Sequence, residues 1–159
     1  MSTAFIALGA NLGDRFATIQ AAVDRIEALG TVRRISSFYE TDPVGYLDQP
    51  SFVNAVLELH TELGPLELIE RLLGIEADLG RIRTFANAPR AIDLDLLLFD
   101  SIIMKSERLT LPHPRMLDRA FVMVPLAEIA PDVVHPVTGR SMNEHLDDLR
   151  PLTGIEIAT

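Results

Sequence analysis

The chain of 159 residues contains no cysteine and no tryptophan, only two tyrosines, and a single lysine, Lys105, beside thirteen arginines. Without cysteine there are no disulfides, no thiolate nucleophiles and no thiolate metal ligands. No apolar run approaches the roughly 20 residues that span a bilayer. The first ten residues lack the basic start of a secretory signal, so a cytoplasmic protein is expected. Positive charge is also scarce: 14 Lys plus Arg stand against 23 Asp plus Glu, a formal net charge of −9. A general binder of nucleic acid or of an anionic membrane needs a basic surface. Neither partner is expected, and any polyanionic ligand must be held locally. What is present is apolar material, 48% of residues, on a length that suits one domain with a real core. Residues 1–159 are expected to form a single domain acting as a monomer.

The basic residues are unevenly spread. Residues 81–119 hold seven of the fourteen, Arg81, Arg83, Arg90, Lys105, Arg108, Arg115 and Arg119, against five acids, a balance of +2, whereas the rest of the chain sums to −11. Arginine rather than lysine suits planar, bidentate binding of phosphate or carboxylate.

Residues 3–8 are a short apolar run that reads as a buried strand ending at Gly9. Asp14 suits the cap of a helix in which Phe16, Ile19, Val23 and Ile26 recur at helical spacing until Gly30 stops it. Residues 31–41, rich in β-branched and aromatic side chains, predict a strand, residues 42–50 a loop, and residues 52–61 a second strand of the same type. Pro65 suits the first turn of a helix carried to Gly80 by Leu66, Ile69, Leu72 or Leu73, and Glu76. Residues 81–91 have no periodicity and predict a mobile loop. Residues 92–99 predict a further apolar strand, with a hairpin through Asp100 and Ser101 to residues 102–104. The order βαββαβ predicts an α+β fold with a ferredoxin-like core, an antiparallel sheet with two helices on one face. Residues 119–129 and 141–149 predict additional short C-terminal helices around a turn at 136–139.

The sharpest chemical signal is Asp93-Leu94-Asp95 inside an apolar strand. Alternate strand residues share a face, which sets the two carboxylates roughly 6–7 Å apart at their Cα atoms. Asp is depleted in strands, and such a pair suits a hard divalent cation. Magnesium takes one or two protein carboxylates and completes its shell with water and phosphates. Arg81, Arg83 and Arg90 precede the pair, and Arg108, His113 and Arg119 follow it in a turn-rich stretch. Metal ions and arginines that hold a polyphosphate in line are what phosphoryl transfer asks of a protein. Glycosyl and nucleotidyl transferases also use an Asp pair, so the residues alone leave the reaction open. Gly9 to Gly13 matches no dinucleotide or P-loop pattern and reads as a tight turn. Asn54, in an apolar strand beside Phe52, suits hydrogen bonding to a heterocycle or, equally, a core amide satisfied by backbone. His60, His135 and His145 read as ordinary strand or surface residues.

Ala-Pro-Arg-Ala-Ile-Asp-Leu-Asp-Leu-Leu (residues 88–97) resembles the signature of the 6-hydroxymethyl-7,8-dihydropterin pyrophosphokinases. Further segments fall in that family's order: Leu8-Gly9-Ala10-Asn11-Leu12-Gly13-Asp14, Ser36-Ser37-Phe38-Tyr39-Glu40-Thr41, Asp48-Gln49-Pro50-Ser51-Phe52-Val53-Asn54-Ala55, Gly80-Arg81-Ile82-Arg83 and Arg108-Leu109-Thr110-Leu111-Pro112-His113. The resemblance covers about residues 3–136. It implies a ferredoxin-like fold, transfer of pyrophosphate from ATP to a dihydropterin with release of AMP, and two Mg2+ ions with the ATP, bound by Asp93 and Asp95. It places Arg81, Arg83, Arg90, Arg108, His113 and Arg119 on the triphosphate, with Arg81 and Arg90 in catalytic roles beside the two Asp. Glu76, Leu96 and Thr110 fall in the adenosine pocket. Thr41 and Val44 supply backbone groups to the pterin, Asn54 reads its edge, and Phe52 and Phe121 sandwich its ring. The chain departs from the family pattern at residues 81–90, one residue shorter, at Asn87, where Trp is frequent, at Ala86, where a basic residue is usual, and at Pro114, where Tyr occurs. The competing enzyme reading is a palm-like metal-dependent nucleotidyl transferase releasing pyrophosphate, and the non-catalytic one is a ligand-binding module indifferent to magnesium.

Overall fold

In the computed structural model, which describes residues 1–41, 51–80 and 92–158, β1 (Ser2–Ala10) leads to α1 (Arg15–Ile26), β2 (Thr31–Ile35), β3 (Tyr39–Thr41) and β4 (Phe52–Thr61). Then come α2 (Pro65–Gly80), β5 (Asp93–Phe99), β6 (Met104–Lys105), β7 (Thr110–Leu111), α3 (Ala120–Ile129), α4 (Met142–Asp148) and β8 (Ile155–Ile157). The predicted loops at 42–50 and 81–91 lie outside the described residues. The main sheet is antiparallel, in the order β5-β1-β4-β3-β8, with β2 also on β4. With β2 and β3 counted as one interrupted strand, the four core strands stand in the order fourth, first, third, second, which is the split arrangement the sequence predicts.

Local signals act where expected. The Asp14 side chain accepts from the Ala17 N–H at 3.1 Å and caps α1. Gly30 passes so close beneath the end of β4 that any Cβ there would collide with the His60 carbonyl. Four expectations need correction. Residues 31–41 are two strands, because the Ser36 hydroxyl accepts from the Val56 N–H at 2.9 Å in place of a main-chain carbonyl, and the pairing with β4 slips one residue between Ile35↔Leu57 and Tyr39↔Asn54. The buried stripe of α2 is Leu68, Ile69, Leu72 and Ile75, whereas Leu66 and Leu73 face solvent. Asp100 does turn the chain, with a φ of 50°, but the following segment leaves β5 and β6 pairs with β7 instead. Residues 155–157, read as no element, form β8 on the edge strand β3.

The sheet is covered on both faces. Ile6, Leu8, Leu57, Leu59, Leu94 and Leu96 pack with Ile19, Ile26, Leu68 and Leu72 of α1 and α2. Ala7, Val56 and Leu97 pack on the opposite face with Met123, Leu126 and Leu146 of α3 and α4. Burial from both sides explains why Leu96-Leu97-Leu98 shows no polar alternation. No helix among the described residues is long and apolar enough to cross a membrane.

His135 and His145 are buried rather than on the surface. The His135 Nδ1 accepts from the Val137 and Thr138 N–H groups at 3.2 and 3.3 Å, and the two rings meet edge-on at 5.8 Å. Burial, and secondarily the neighbouring His145, lower the pKa of His135 below its ordinary value of 6.5. The unfolded chain therefore binds this proton more readily than the folded one, so stability rises with pH up to about 6.5 and is level above it. Thermal midpoints measured from pH 5 to 8 are expected to be level above pH 7 and to fall on acidification, with a smaller fall in His135→Gln. An equal fall in that variant would exclude His135 as a contributor.

Candidate active site

Strand alternation places Asp93 and Asp95 on the sheet face covered by α3, while Leu94 and Leu96 enter the core beneath α1 and α2. The registers then define one row across four strands, Asp93↔Gly9↔Asn54↔Tyr39, and a second, Asp95↔Ala7↔Val56. Residues opposite one another in antiparallel strands share a face. The acidic pair and Asn54 therefore look out over the same surface, separated by residues with little or no side chain.

At the acidic end, Asp95 has two basic neighbours among the described residues. His113 Nε2 lies 4.0 Å from one carboxylate oxygen and Arg119 Nη1 4.0 Å from the other. The His113 N–H bonds to the Leu97 carbonyl at 2.9 Å, which fastens this segment to β5. Burial lowers the His113 pKa, with Arg119 and Arg115 acting in the same direction and Asp95 opposing them. Its Nδ1 accepts from the Arg115 N–H at 3.2 Å, which leaves the proton of the neutral ring on Nε2, the atom facing Asp95. Arg119 stands just before α3, its guanidinium 5.6 Å from the centre of the Phe121 ring.

At the other end, Asn54 is 7% exposed and its Nδ2 donates to Thr41 Oγ1 at 2.7 Å. Among the described residues the amide is held by a side chain. Phe52, two residues along β4, shares its face, and Phe121 at the start of α3 overhangs that face. Arg15 ties the two sides of the intervening segment together, donating to Glu40 at 2.9 Å and to the Ser51 hydroxyl and carbonyl at 2.8 and 2.9 Å.

Glu76, Leu96 and Thr110 gather at the outer edge of β5 rather than over the acidic face. Glu76 reaches from α2 to accept the Leu94 N–H at 2.7 Å, pinning the strand between the two Asp. The Leu96 side chain is buried, so only its main chain is available at that edge, and β7, which carries Thr110, contacts β5. Arg108 is exposed and pairs with Glu70 of α2. Val44, Arg81, Arg83 and Arg90 lie outside the described residues. A cavity of about 510 Å³ at the opposite end of β1 is lined by Glu58, Asp100 and Asp132, with Arg34 as the single cation among the described residues. Three carboxylates against one guanidinium make it unsuited to a triphosphate.

The donor set fits magnesium. Among the described residues no group of three or more acidic or histidine side chains converges on one point, and a pair of carboxylates with room for phosphate oxygens and water is what Mg2+ takes.

Sequence reading missed two contributors. Gly9 and Ala10 belong to β1, and the turn is confined to the residues after them. The clue was a glycine at the end of an otherwise apolar strand. Glu128 of α3 accepts from the Ser37 N–H at 3.0 Å and from the Tyr39 hydroxyl at 2.6 Å, holding the break between β2 and β3. Burial, followed by the Glu128 hydrogen bond, pushes the Tyr39 hydroxyl up to about 12. No local pattern marks Glu128, because its partners lie some ninety residues away.

The family described as 7,8-dihydro-6-hydroxymethylpterin-pyrophosphokinase (HPPK) matches residues 5–131. The 2-amino-4-hydroxy-6-hydroxymethyldihydropteridine pyrophosphokinase of Bacillus subtilis is 46% identical over 143 residues, 89% of this chain and 86% of that protein. The protein of the same name from Methylorubrum extorquens is 44% identical, with 98% of each chain covered. The folic acid synthesis protein fol1 of Schizosaccharomyces pombe is 40% identical over 97% of this chain, which spans only 21% of its length. Among solved structures, Plasmodium falciparum HPPK-DHPS has the same fold, with a TM-score of 0.74 at 16% identity, over 92% of this chain and 44% of that one.

Proposed function

The chain belongs to the 7,8-dihydro-6-hydroxymethylpterin-pyrophosphokinase family, and from that membership we infer how its residues divide the transfer of a pyrophosphoryl group from ATP to hydroxymethyldihydropterin in folate synthesis. The enzyme is an ATP-dependent diphosphotransferase, and by mass balance AMP leaves. As in pyrophosphokinases generally, ATP is used with Mg2+. The observation that carries the residue assignment is the row Asp93–Gly9–Asn54, which puts an acidic pair and a buried carboxamide on one sheet face under α3.

In this reading Asp93 and Asp95 hold two ions. Bound there, magnesium would neutralise charge on the triphosphate and make the β-phosphorus more electrophilic. Arg119 and the Nε2–H of neutral His113 stand beside Asp95 and donate to phosphate oxygens, and Arg108 exchanges Glu70 for the phosphate chain. Sequence position assigns Arg81, Arg83 and Arg90 to the same task. Glu76, Leu96 and Thr110 receive adenosine at the β5 edge. Asn54, with backbone groups of Thr41 and Val44, reads the pterin edge, and Phe52 and Phe121 enclose its ring. The hydroxymethyl oxygen attacks the β-phosphorus. No side chain among the described residues is placed as its general base, and a loose transition state makes little demand for one.

A single domain over residues 1–159 belongs to this proposal, supported by α3 and α4 closing the second face of the same sheet. So do a monomeric state, a cytoplasmic location and the lack of a nucleic-acid partner, the last supported by the charge of −9. Incubation of the protein with MgATP and the dihydropterin, with nucleotide products separated by chromatography, is expected to give AMP in step with pterin pyrophosphate. ADP as the sole nucleotide product would overturn the reading, and release of free pyrophosphate would indicate the nucleotidyl transferase instead.

A further inference from the structure

We propose that Gly9 is a positioning residue of the pterin site: the absence of a side chain there seats the Asn54 carboxamide and leaves the lane between Asn54 and Asp93 open for the acceptor. The inference rests on the assignment of Asn54 to the pterin made above.

A glycine within an extended strand needs a reason, since it costs roughly 0.5–1 kcal/mol relative to alanine. Backbone freedom is not the reason at Gly9, because among the described residues the glycines with positive φ are Gly13, Gly139 and Gly154. Close approach is. A Cβ on Gly9 would lie 2.7 Å from Asn54 Oδ1, well inside contact distance. An exposed carboxamide would rotate away at little cost. Asn54 is 7% exposed, and its amide nitrogen is fixed at 2.7 Å by Thr41 Oγ1. Thr41 is buried in its turn and paired with Phe52 across the strands. A methyl group at position 9 therefore turns the carboxamide and breaks its bond to Thr41, and both atoms that a heterocycle would meet move with it.

The second argument is the place of Gly9 in the row. Asn54 is its partner on one side and Asp93 on the other. With strands about 4.8 Å apart, the Cα atoms of Asn54 and Asp93 are about 10 Å from one another, and the floor between them is bare backbone. A planar bicycle read at one edge by Asn54 lies across that floor with its one-carbon arm toward Asp93. Any side chain at position 9 projects from the same face into that path. Gly9 thus sets both the aim of the carboxamide and the depth of the acceptor lane, while touching neither the metal nor the nucleotide.

The test is a double-mutant cycle of Gly9→Ala and Asn54→Ala, with dissociation constants for the pterin and for a non-hydrolysable MgATP analogue, and thermal midpoints for each protein. Gly9→Ala is expected to weaken pterin binding roughly tenfold to a hundredfold, the range for misplacing a buried hydrogen-bonding group. Nucleotide binding is expected to stay within about twofold, as for an independent site. Asn54→Ala should lose a similar amount, and in that background Gly9→Ala should cost a clearly smaller factor than it costs the unaltered protein, since the collision with Asn54 is gone and only the side chain in the lane is left. Normal pterin affinity in Gly9→Ala, with Asn54→Ala impaired, overturns the inference and leaves the pterin site standing. Fully additive losses overturn it as well. Normal pterin affinity in Asn54→Ala refutes the underlying assignment and takes the inference with it. If Gly9→Ala folds poorly, Asn54→Ala in the same chain should restore its thermal midpoint, since it removes the colliding atom. Failure to restore it also overturns the inference.

Discussion

Asp95→Ala is expected to lower kcat/KM for pyrophosphoryl transfer by roughly 10³-fold or more and to leave the fold intact. The magnitude follows from what a bound cation supplies, several kcal/mol of transition-state charge stabilisation, at about 1.4 kcal/mol for each factor of ten. The fold should survive because the Asp95 side chain is 40% exposed and its basic neighbours stand 4.0 Å away rather than at hydrogen-bond distance. Its loss removes no core contact, since the strand is held by Leu94 and Leu96 beneath it and by Glu76 at its edge. Asp95→Asn keeps the shape and removes the charge, so it separates the two possible causes. Near-equal inactivity of Asn and Ala variants identifies charge as the requirement, and the magnesium concentration for half-maximal activity should rise in both. Activity close to that of the unaltered protein in either variant would take Asp95 out of the mechanism.

Arg119→Ala is expected to lower kcat by roughly 10²–10³, the range seen when one preorganised donor to a developing charge is removed. Arg119 touches both halves of the site. Its Nη1 is 4.0 Å from Asp95 Oδ2, and its guanidinium lies 5.6 Å from the centre of the Phe121 ring. The second contact is the weaker, since a cation over an aromatic face contributes about 0.5–1 kcal/mol at a partly exposed site. Charge at the phosphates therefore decides the outcome, and kcat should fall by a larger factor than the KM for the pterin rises. Arg119→Lys is expected to recover only part of the loss, because an ammonium has neither the planar fork for two phosphate oxygens nor the flat face for Phe121. Steady-state kinetics with each substrate varied in turn separates these effects. A raised KM for the pterin with kcat unchanged would make Arg119 a support for Phe121 and nothing more.

The features legible in the sequence were those of short range. Asp14 caps α1, Pro65 opens α2, and residues 52–61 run as β4 with the bounds that their composition suggests. The Asp93-Leu94-Asp95 alternation needs only the period of two of an extended chain, so the shared face of the carboxylates could be read before any strand had a partner. Where an element's face depended on what covered it, the sequence was a poor guide. Leu66 and Leu73 are as apolar as Leu68 and Ile75, yet only the latter two meet the sheet. His135 and His145 look ordinary in the sequence because the face of α4 that carries His145 is buried only once α4 packs against α3, and His135 meets His145 ring to edge. The break at Ser36 has no local signal, because a hydroxyl replaces a carbonyl in the ladder only against a particular partner, Val56, twenty residues away.

The sequence by itself determined the chemistry on offer: an acidic pair with common orientation, an excess of arginine around it, an amide in an apolar strand, and a βαββαβ order that permits few topologies. The tertiary structure alone decided that these groups meet. Register set Gly9 between Asp93 and Asn54, and α3, not α1 or α2, became the wall of the site that brings Arg119 to Asp95 and Phe121 above the pterin face. The reason is the range of the forces. Side-chain alternation and capping follow from neighbouring dihedrals and are written residue by residue. Cross-strand register and the covering of a face come from burying apolar area between segments distant in the chain, and the whole fold must form before any one of those pairings exists.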